Sequence, residues 1–133
     1  MRSAAVLGVA LLLAGCGPLM QAGCPRPLDH ARTAYLFFGR SRAHGRTISH
    51  GQWRQFVHTA LIPEFPNGFT VLSARGYWRG ARRAGFEASK VVVIVLPGRA
   101  DDLARLEMVR SAYKRRFGQQ SVLEWIDAGC ASF

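Results

Sequence analysis

Three cysteines are the residues of this chain best suited to covalent chemistry, and Cys16 is the first of them. It stands directly after Leu13, Ala14 and Gly15, at the end of an apolar run that covers residues 4–14. Small residues let an extended chain enter a peptidase, and a cysteine that becomes the first residue after cleavage offers its thiol for acylation. Cys16 is therefore the candidate lipidation site.

The segment before Cys16 predicts export. Arg2 supplies a positive start, and the apolar run suits the core of a signal peptide but is too short for a membrane span of about twenty residues. Leu-Ala-Gly-Cys resembles the bacterial lipobox, which predicts a signal peptide over residues 1–15 and a palmitate-type anchor on Cys16. An ordinary secretory peptide with a chance cysteine is the alternative. Gly17 stands where inner-membrane lipoproteins commonly have Asp, so we expect a protein that faces the periplasm, with the outer membrane favoured.

Cys24 and Cys130 remain as a pair if Cys16 takes lipid. An even pair in an oxidising compartment predicts a disulfide, and two free thiols are the alternative. Two cysteines without a nearby second pair of ligands fall short of the four that a structural metal site needs. The sequence therefore predicts a disulfide and no metal.

The remaining histidines and acids do not form a catalytic pattern. His50 and His58 lie eight residues apart, which is not the four-residue spacing of a metal pair on a helix. Asp101 and Asp102 are more simply the start of a helix than a catalytic pair. No cysteine stands beside a recognisable base, so nucleophilic catalysis is not indicated. We expect no cofactor.

The most suggestive surface cluster follows Gly76. Tyr, Trp and Arg together are typical of binding hot spots, and aromatic side chains with Arg can also hold sugars or anions. The candidate binding residues are Tyr77, Trp78, Arg79, Arg82, Arg83, Glu87 and Lys90. In the alternative interpretation Trp78 caps the core, Arg79 is solvated and Glu87 pairs with Lys90.

The chain is strongly basic, with a net charge of +10. Such a charge would indicate nucleic acid in a cytosolic protein, but export removes that partner. Anionic phospholipid, lipopolysaccharide and other envelope polyanions remain as candidate partners. Only two of the 18 basic residues are Lys, which also fits an accumulation of Arg in a GC-rich genome with no effect beyond solubility.

Hydrophobic patterns predict six elements in one α+β domain over residues 32–133, after a tether over residues 16–31. Ser49 and Gln52 form a capping box at the start of the first helix, which Pro63 is expected to end, and Gly118 is expected to end the second helix. The predicted strands cover residues 33–40, 69–78, 89–96 and 121–126, and the predicted helices cover 49–62 and 101–117.

The element order β-α-β-β-α-β predicts a ferredoxin-like sandwich, a four-stranded antiparallel sheet with both helices on one face. Its first and last strands are neighbours, which brings Cys24 and Cys130 to the same end of the sheet. The strand over residues 91–96 is apolar on both faces, although two helices cover only one. A second copy, a ligand or the tether should cover the other face, and we favour a homodimer.

Several longer runs resemble a family of small exported bacterial proteins of unknown function, often predicted lipoproteins. These runs are YLFFG at 35–39, FPNGFTVL at 65–72, ARGYW at 74–78, SKV at 89–91, FGQQSVL at 117–123 and CASF at 130–133. The resemblance implies no activity, so it gives no residue a role. This chain has GARRAG at 80–85, where members of the family tend to have a polar hairpin tip.

The sequence therefore predicts a lipid-anchored envelope protein that acts as a binding or interaction module and has no identifiable catalytic signature. The alternative is a small enzyme with a pocket on the open sheet face of a dimer.

Overall fold

The computed structural model of this chain describes residues 23–42, 46–79 and 84–132. The predicted signal peptide, Cys16, Arg82 and Arg83 lie outside these residues. The strands are β1 (Asp29–Gly39), β2 (Thr70–Arg79), β3 (Ala84–Leu96) and β4 (Leu123–Ala131). The helices are α1 (His50–Phe56), α2 (Ile62–Glu64) and α3 (Asp102–Phe117), and a π-helical turn (Val57–Leu61) joins α1 to α2.

The four strands form one antiparallel sheet in the order β2-β3-β1-β4. β1 and β3 are the central strands, paired from Arg32 with Leu96 to Gly39 with Ser89. The helices pack on one face of this sheet, because the buried side chains of the strands and of α1 and α3 form a single cluster. The predicted ferredoxin-like architecture is confirmed.

The hydrophobic core lies between the helices and this face. Its strand residues are Ala34, Leu36, Phe38, Val92, Ile94 and Leu96, and its main helical residues are Trp53, Phe56, Leu61, Leu106, Val109, Tyr113 and Phe117. The Phe38 ring meets Tyr113 edge-on at a centroid distance of 4.7 Å. The Tyr113 hydroxyl donates a hydrogen bond to the Gly39 carbonyl at 2.8 Å, which ties α3 to the end of β1. Burial raises the pKa of Tyr113 well above its usual range.

The first helix begins as predicted and ends later. The Ser49 Oγ accepts a hydrogen bond from the Gln52 N–H at 3.2 Å, and the Gln52 Oε1 accepts one from the Ser49 N–H at 2.9 Å, which confirms the capping box. The prediction that Pro63 ends the helix is wrong. The backbone stays helical through the π-helical turn and α2, so the helix continues past Pro63 and ends at Glu64, before Phe65 leaves the helical conformation.

Three strands, β1, β3 and β4, are longer than the sequence predicts. β1 begins at Asp29, inside the predicted tether, because it pairs with β4 as far as Ala131. β3 begins at Ala84 because it pairs with β2 as far as Arg79. α3 differs from the prediction by one residue and ends at Gly118, whose φ of 66° is the left-handed conformation that glycine adopts easily.

A disulfide joins Cys24 to Cys130, with the two Cα atoms 5.7 Å apart. The bond links the segment before β1 to Cys130, the last but one residue of β4. The sequence predicts this disulfide. None of the helices in the described residues is long and apolar enough to cross a membrane.

Candidate functional site

The sheet face opposite the helices, called the open face below, has two rows of mainly apolar side chains that cross all four strands. Alternate strand residues point to this face, and the register aligns them in rows. One row consists of Thr70, Val93, Tyr35 and Trp125, and the next consists of Leu72, Val91, Phe37 and Leu123. Trp125 is 62% exposed, Leu72 50% and Leu123 48%, so the edges of the rows are open to water.

The basic side chains of the strands lie on the helix side of the sheet. Alternation places them in the same set of positions as the core residues: Arg32, Arg75, Arg79 and Lys90. The open face instead has acidic residues near its two ends, Asp29 and Asp127 at one and Glu87 at the other. In a chain of net charge +10, the described strands therefore present an open face without a basic residue.

β2 and β3 continue past the end of β1 as a two-stranded ribbon, called the hairpin arm below. β1 ends at Gly39 opposite Ser89, whereas β2 and β3 stay paired from Arg75–Ala88 to Arg79–Ala84. These further pairs lengthen the sheet by about 16 Å beyond β1. The arm thus projects past the end of β1 and contributes no residue to the core.

The helix side of the hairpin arm exposes an aromatic pair with an arginine. The Tyr77 and Phe86 rings are directly opposite each other in the ladder, with centroids 5.2 Å apart in an edge-to-face arrangement. The Arg75 guanidinium lies 5.4 Å from the centre of the Phe86 ring. Closer to the core, the Lys90 Nζ donates to the Ser73 Oγ at 2.7 Å. This side of the arm is therefore aromatic and positively charged.

On the open side of the hairpin arm, two side chains each pack directly over the Cα of a glycine. The Trp78 indole lies over Gly76, where a Cβ would be 2.5 Å from the indole Nε1. The Glu87 carboxylate lies over Gly39 and accepts a hydrogen bond from the Ser41 N–H at 3.1 Å. The Trp78 Nε1–H is buried without a partner among the described residues. Both side chains can adopt these positions only because the residue beneath them is a glycine without a Cβ.

The structure separates the predicted binding residues rather than gathering them. Tyr77, Arg79 and Lys90 lie on the helix side, whereas Trp78 and Glu87 lie on the open side, because neighbouring residues of a strand point to opposite faces. Glu87 therefore does not pair with Lys90. Arg82 and Arg83 lie outside the described residues. The sequence reasoning missed Phe86, because its pairing with Tyr77 depends on the register of the hairpin.

The opposite end of the sheet holds the disulfide beside a groove. The groove has a volume of about 530 Å³, and its lining includes His30, Arg32, Pro97 and Cys130. The His30 Nδ1 lies 3.4 Å from the Cys24 Sγ. The donor atoms of Cys24, His30 and Cys130 lie within 4.8 Å of one another. Since the two sulfurs are bonded to each other, the imidazole is the one free ligand that this cluster offers a metal.

Asp101 and Asp102 serve the start of α3, as the sequence predicts. The Asp102 carboxylate is fully buried, accepts a hydrogen bond from the Arg99 N–H at 2.9 Å and lies 3.7 Å from the Arg32 guanidinium. A hydrogen bond from the Arg99 side chain holds the pKa of Asp101 below its usual range. Both acids therefore have structural partners at the helix N-terminus.

Comparison with known families identifies this chain. It belongs to the family described as "Protein of unknown function (DUF3574)", whose model matches residues 33–133. The predicted membership of a family of unknown function is thereby confirmed. No protein of curated function matches the chain.

Three solved structures are similar to the chain in fold. A phage SAM lyase in complex with S-methyl-5'-thioadenosine has a TM-score of 0.60 at 16% identity, covering 77% of this chain and 90% of its own. The apo state of a phage SAM lyase has a TM-score of 0.57 at 18% identity, covering 78% and 90%. CutA from Synechococcus elongatus, complexed with Bis-Tris, has a TM-score of 0.50 at 8% identity, covering 79% and 87%. At these identities the likeness shows the fold alone.

Proposed function

We propose that this member of the DUF3574 family is a lipid-anchored protein of the bacterial cell envelope and acts as an interaction module through its open face. The supporting observation is the pair of apolar rows that crosses all four strands and is exposed in the single chain. Contiguous exposed apolar patches of several hundred Å² on soluble proteins mark interaction sites. The open face is therefore the surface on which we expect a partner.

The anchor half of the proposal rests on the sequence and on the disulfide. Cys16 follows an apolar run of signal-peptide length and the small residues Ala14 and Gly15. The bond between Cys24 and Cys130 supports export, since disulfides persist in oxidising compartments and are rare in the cytosol. Two or more acyl chains on Cys16 would hold the protein stably, at about 0.8 kcal/mol for each buried methylene.

The two ends of the sheet would have different surroundings in the anchored protein. Eight residues separate Cys16 from Cys24, so the disulfide end stays within about 28 Å of the lipid. The hairpin arm lies at the opposite end, and its last described pair, Arg79 with Ala84, is about 50 Å along the strands from Asp29. This length lets the basic arm reach envelope polyanions beyond the membrane surface, with an affinity that should fall steeply as salt rises.

The geometry favours an interaction surface over a catalytic pocket on the open face. Its central positions are Tyr35, Phe37, Val91 and Val93, and its described ionisable acids lie towards the ends of the strands. A pocket for acid–base chemistry needs polar side chains that converge on one point. The apolar rows have the composition of a packing surface instead.

The anchor is tested by metabolic labelling with palmitate and by membrane fractionation of the full chain in a bacterial host. The natural chain should take label and sediment with membranes. Cys16→Ser should lose the label and become soluble, because no other cysteine directly follows the apolar core. The matched control, Cys24→Ser with Cys130→Ser, lacks the disulfide but should keep the label. A Cys16→Ser protein that still takes label would refute the anchor.

A further inference from the structure

The chemistry of the open face restricts what can cover it. The four central side chains, Tyr35, Phe37, Val91 and Val93, belong to β1 and β3, and Leu72, Leu123 and Trp125 extend the apolar surface to both edges. With four strands about 4.8 Å apart and two rows about 7 Å apart, this patch measures roughly 19 Å by 14 Å. That is flat and wide enough for a second sheet, which packs about 10 Å away in a sandwich.

The size of the patch agrees with what a homodimer needs. A stable interface removes about 800 Å² from each partner, and in homodimers about 65% of it is apolar. The projected area of the apolar patch is roughly 270 Å², and the surface that side chains expose exceeds the projection. The rest of the open face, with the hydroxyls of Thr33 and Thr70 and the acids at its ends, extends about 50 Å along the strands and supplies the remaining area as a polar rim.

The distribution of charge agrees with the same partner. Two anchored chains, each of net charge +9 once Arg2 is removed from the +10 of the full sequence, repel each other. The strand-borne bases nevertheless all point away from the open face: Arg32, Arg75, Arg79 and Lys90. Face-to-face contact therefore keeps these charges on the outer sides of the assembly, more than a sheet spacing of about 10 Å apart, which is close to the Debye length at physiological salt.

Other occupants fit the open face less well. An anionic lipid surface or polyanion attracts basic residues, whereas the described ionisable acids of this face are Asp29, Glu87 and Asp127. The tether reaches the domain at Cys24, whose disulfide partner Cys130 lies opposite His30 on the helix side of the sheet. We infer that a second copy of this chain covers the open face, an inference that rests on the proposed role of that face as an interaction surface.

Photo-crosslinking in intact cells tests this inference on the full, anchored chain. A benzophenone amino acid at Trp125 lies on the open face, and one at Met108, which is exposed on α3, is the control. We expect an adduct of twice the chain mass from position 125 and not from position 108. Mass spectrometry of the adduct should identify the chain as its own partner.

A matched pair of lysine substitutions tests whether the face itself makes the contact. Leu123→Lys places a charge on the open face, and Leu103→Lys places the same charge at a similarly exposed position on α3, 51% against 48%. Leu123→Lys should reduce the adduct at least tenfold, and Leu103→Lys should leave it unchanged. Leu72→Lys, at the other edge of the face, provides a second variant should Leu123→Lys melt at a lower temperature than Leu103→Lys.

The outcomes separate this inference from the proposed function. An adduct of position 125 with a different protein, or with lipid alone, would overturn the second copy and leave the open face as an interaction surface. The absence of any adduct from position 125 would overturn both. A self-adduct that survives Leu123→Lys and Leu72→Lys would overturn the open face as the site of association.

Discussion

Gly76 determines how Trp78 lies at the end of the open face. A Cβ at Gly76 would be 2.5 Å from the indole Nε1 and 3.1 Å from Cε2, so the whole edge of the ring would have to move. We expect Gly76→Ala to push the indole off the sheet and to lower the unfolding free energy by about 1 kcal/mol through lost burial.

The control for Gly76→Ala is Gly129→Ala in β4, where an added Cβ meets no atom within 4 Å. Urea denaturation compares the two variants. Acrylamide quenching reports the exposure of Trp78 when both glycine substitutions are made in a Trp125→Phe background, because Trp53 is buried. Equal stability of the two variants, with unchanged quenching, would show that the glycine is not needed beneath the ring.

The buried hydroxyl of Tyr113 should make the free energy of unfolding depend on pH in the alkaline range. Burial raises the pKa of Tyr113, so the folded chain keeps the proton at a pH where the unfolded chain releases it. The stabilisation is fully present below the unfolded pKa of about 10 and declines as the pH rises towards the raised folded pKa. The wild-type domain should therefore lose stability above about pH 10.

Tyr113→Phe tests this account. The variant loses the hydrogen bond to the Gly39 carbonyl and should be less stable at pH 7 by about 1 kcal/mol. Because phenylalanine has no proton to release, the difference from wild type should shrink above pH 10. Urea denaturation at pH 7 and at pH 10.5 measures it, and a constant difference at both pH values would contradict the assignment.

The capping box sets the start of α1. Ser49→Ala removes the acceptor for the Gln52 N–H and should lower the unfolding free energy by about 1 kcal/mol. Thermal denaturation measures the change, with the exposed Ser121→Ala as the control, for which we expect a much smaller effect. Equal effects of the two substitutions would mean that the cap does not stabilise the helix in this chain.

Element boundaries show what local sequence could and could not reveal. The helical stripe of Trp53 and Phe56 and the apolar run over residues 91–96 predict their elements directly. The extensions of β1 and β3 contain short or polar residues, such as Asp29 and Ala84, that enter strands because a partner strand lies beside them. Local patterns do not contain that information.

In the candidate site, too, some features could be predicted from the local sequence and others depend on how the strands pair. Alternation along a strand could have assigned Trp78 and Tyr77 to opposite faces from the sequence alone. The contact between Tyr77 and Phe86 could not be predicted, because a shift of one residue in the hairpin register would pair different side chains. The apolar open face was foreseen in β3, whereas its width became visible only with the register of all four strands.

At the scale of the whole molecule, the disulfide closes almost the entire domain. Cys24 and Cys130 are 106 residues apart, and a loop of about that length restricts the unfolded chain by roughly 4 to 5 kcal/mol in the chain-entropy model. Cys24→Ser with Cys130→Ser should lose most of that stability in guanidinium denaturation. Reductant should destabilise the natural chain and leave the double variant unchanged, and an insensitive natural chain would contradict the prediction.

The measurement that most directly tests the open face as the working surface is hydroxyl-radical footprinting of the full chain in intact cell envelopes. It compares Trp125 on the open face with Met108 on α3, two oxidisable side chains that are 62% and 51% exposed in the single chain. We predict that Trp125 is protected in the envelope relative to the Leu123→Lys protein, whereas Met108 reacts equally in both. A Trp125 side chain that reacts equally in the natural chain and in Leu123→Lys would contradict the account, because the open face would then be uncovered where the protein acts.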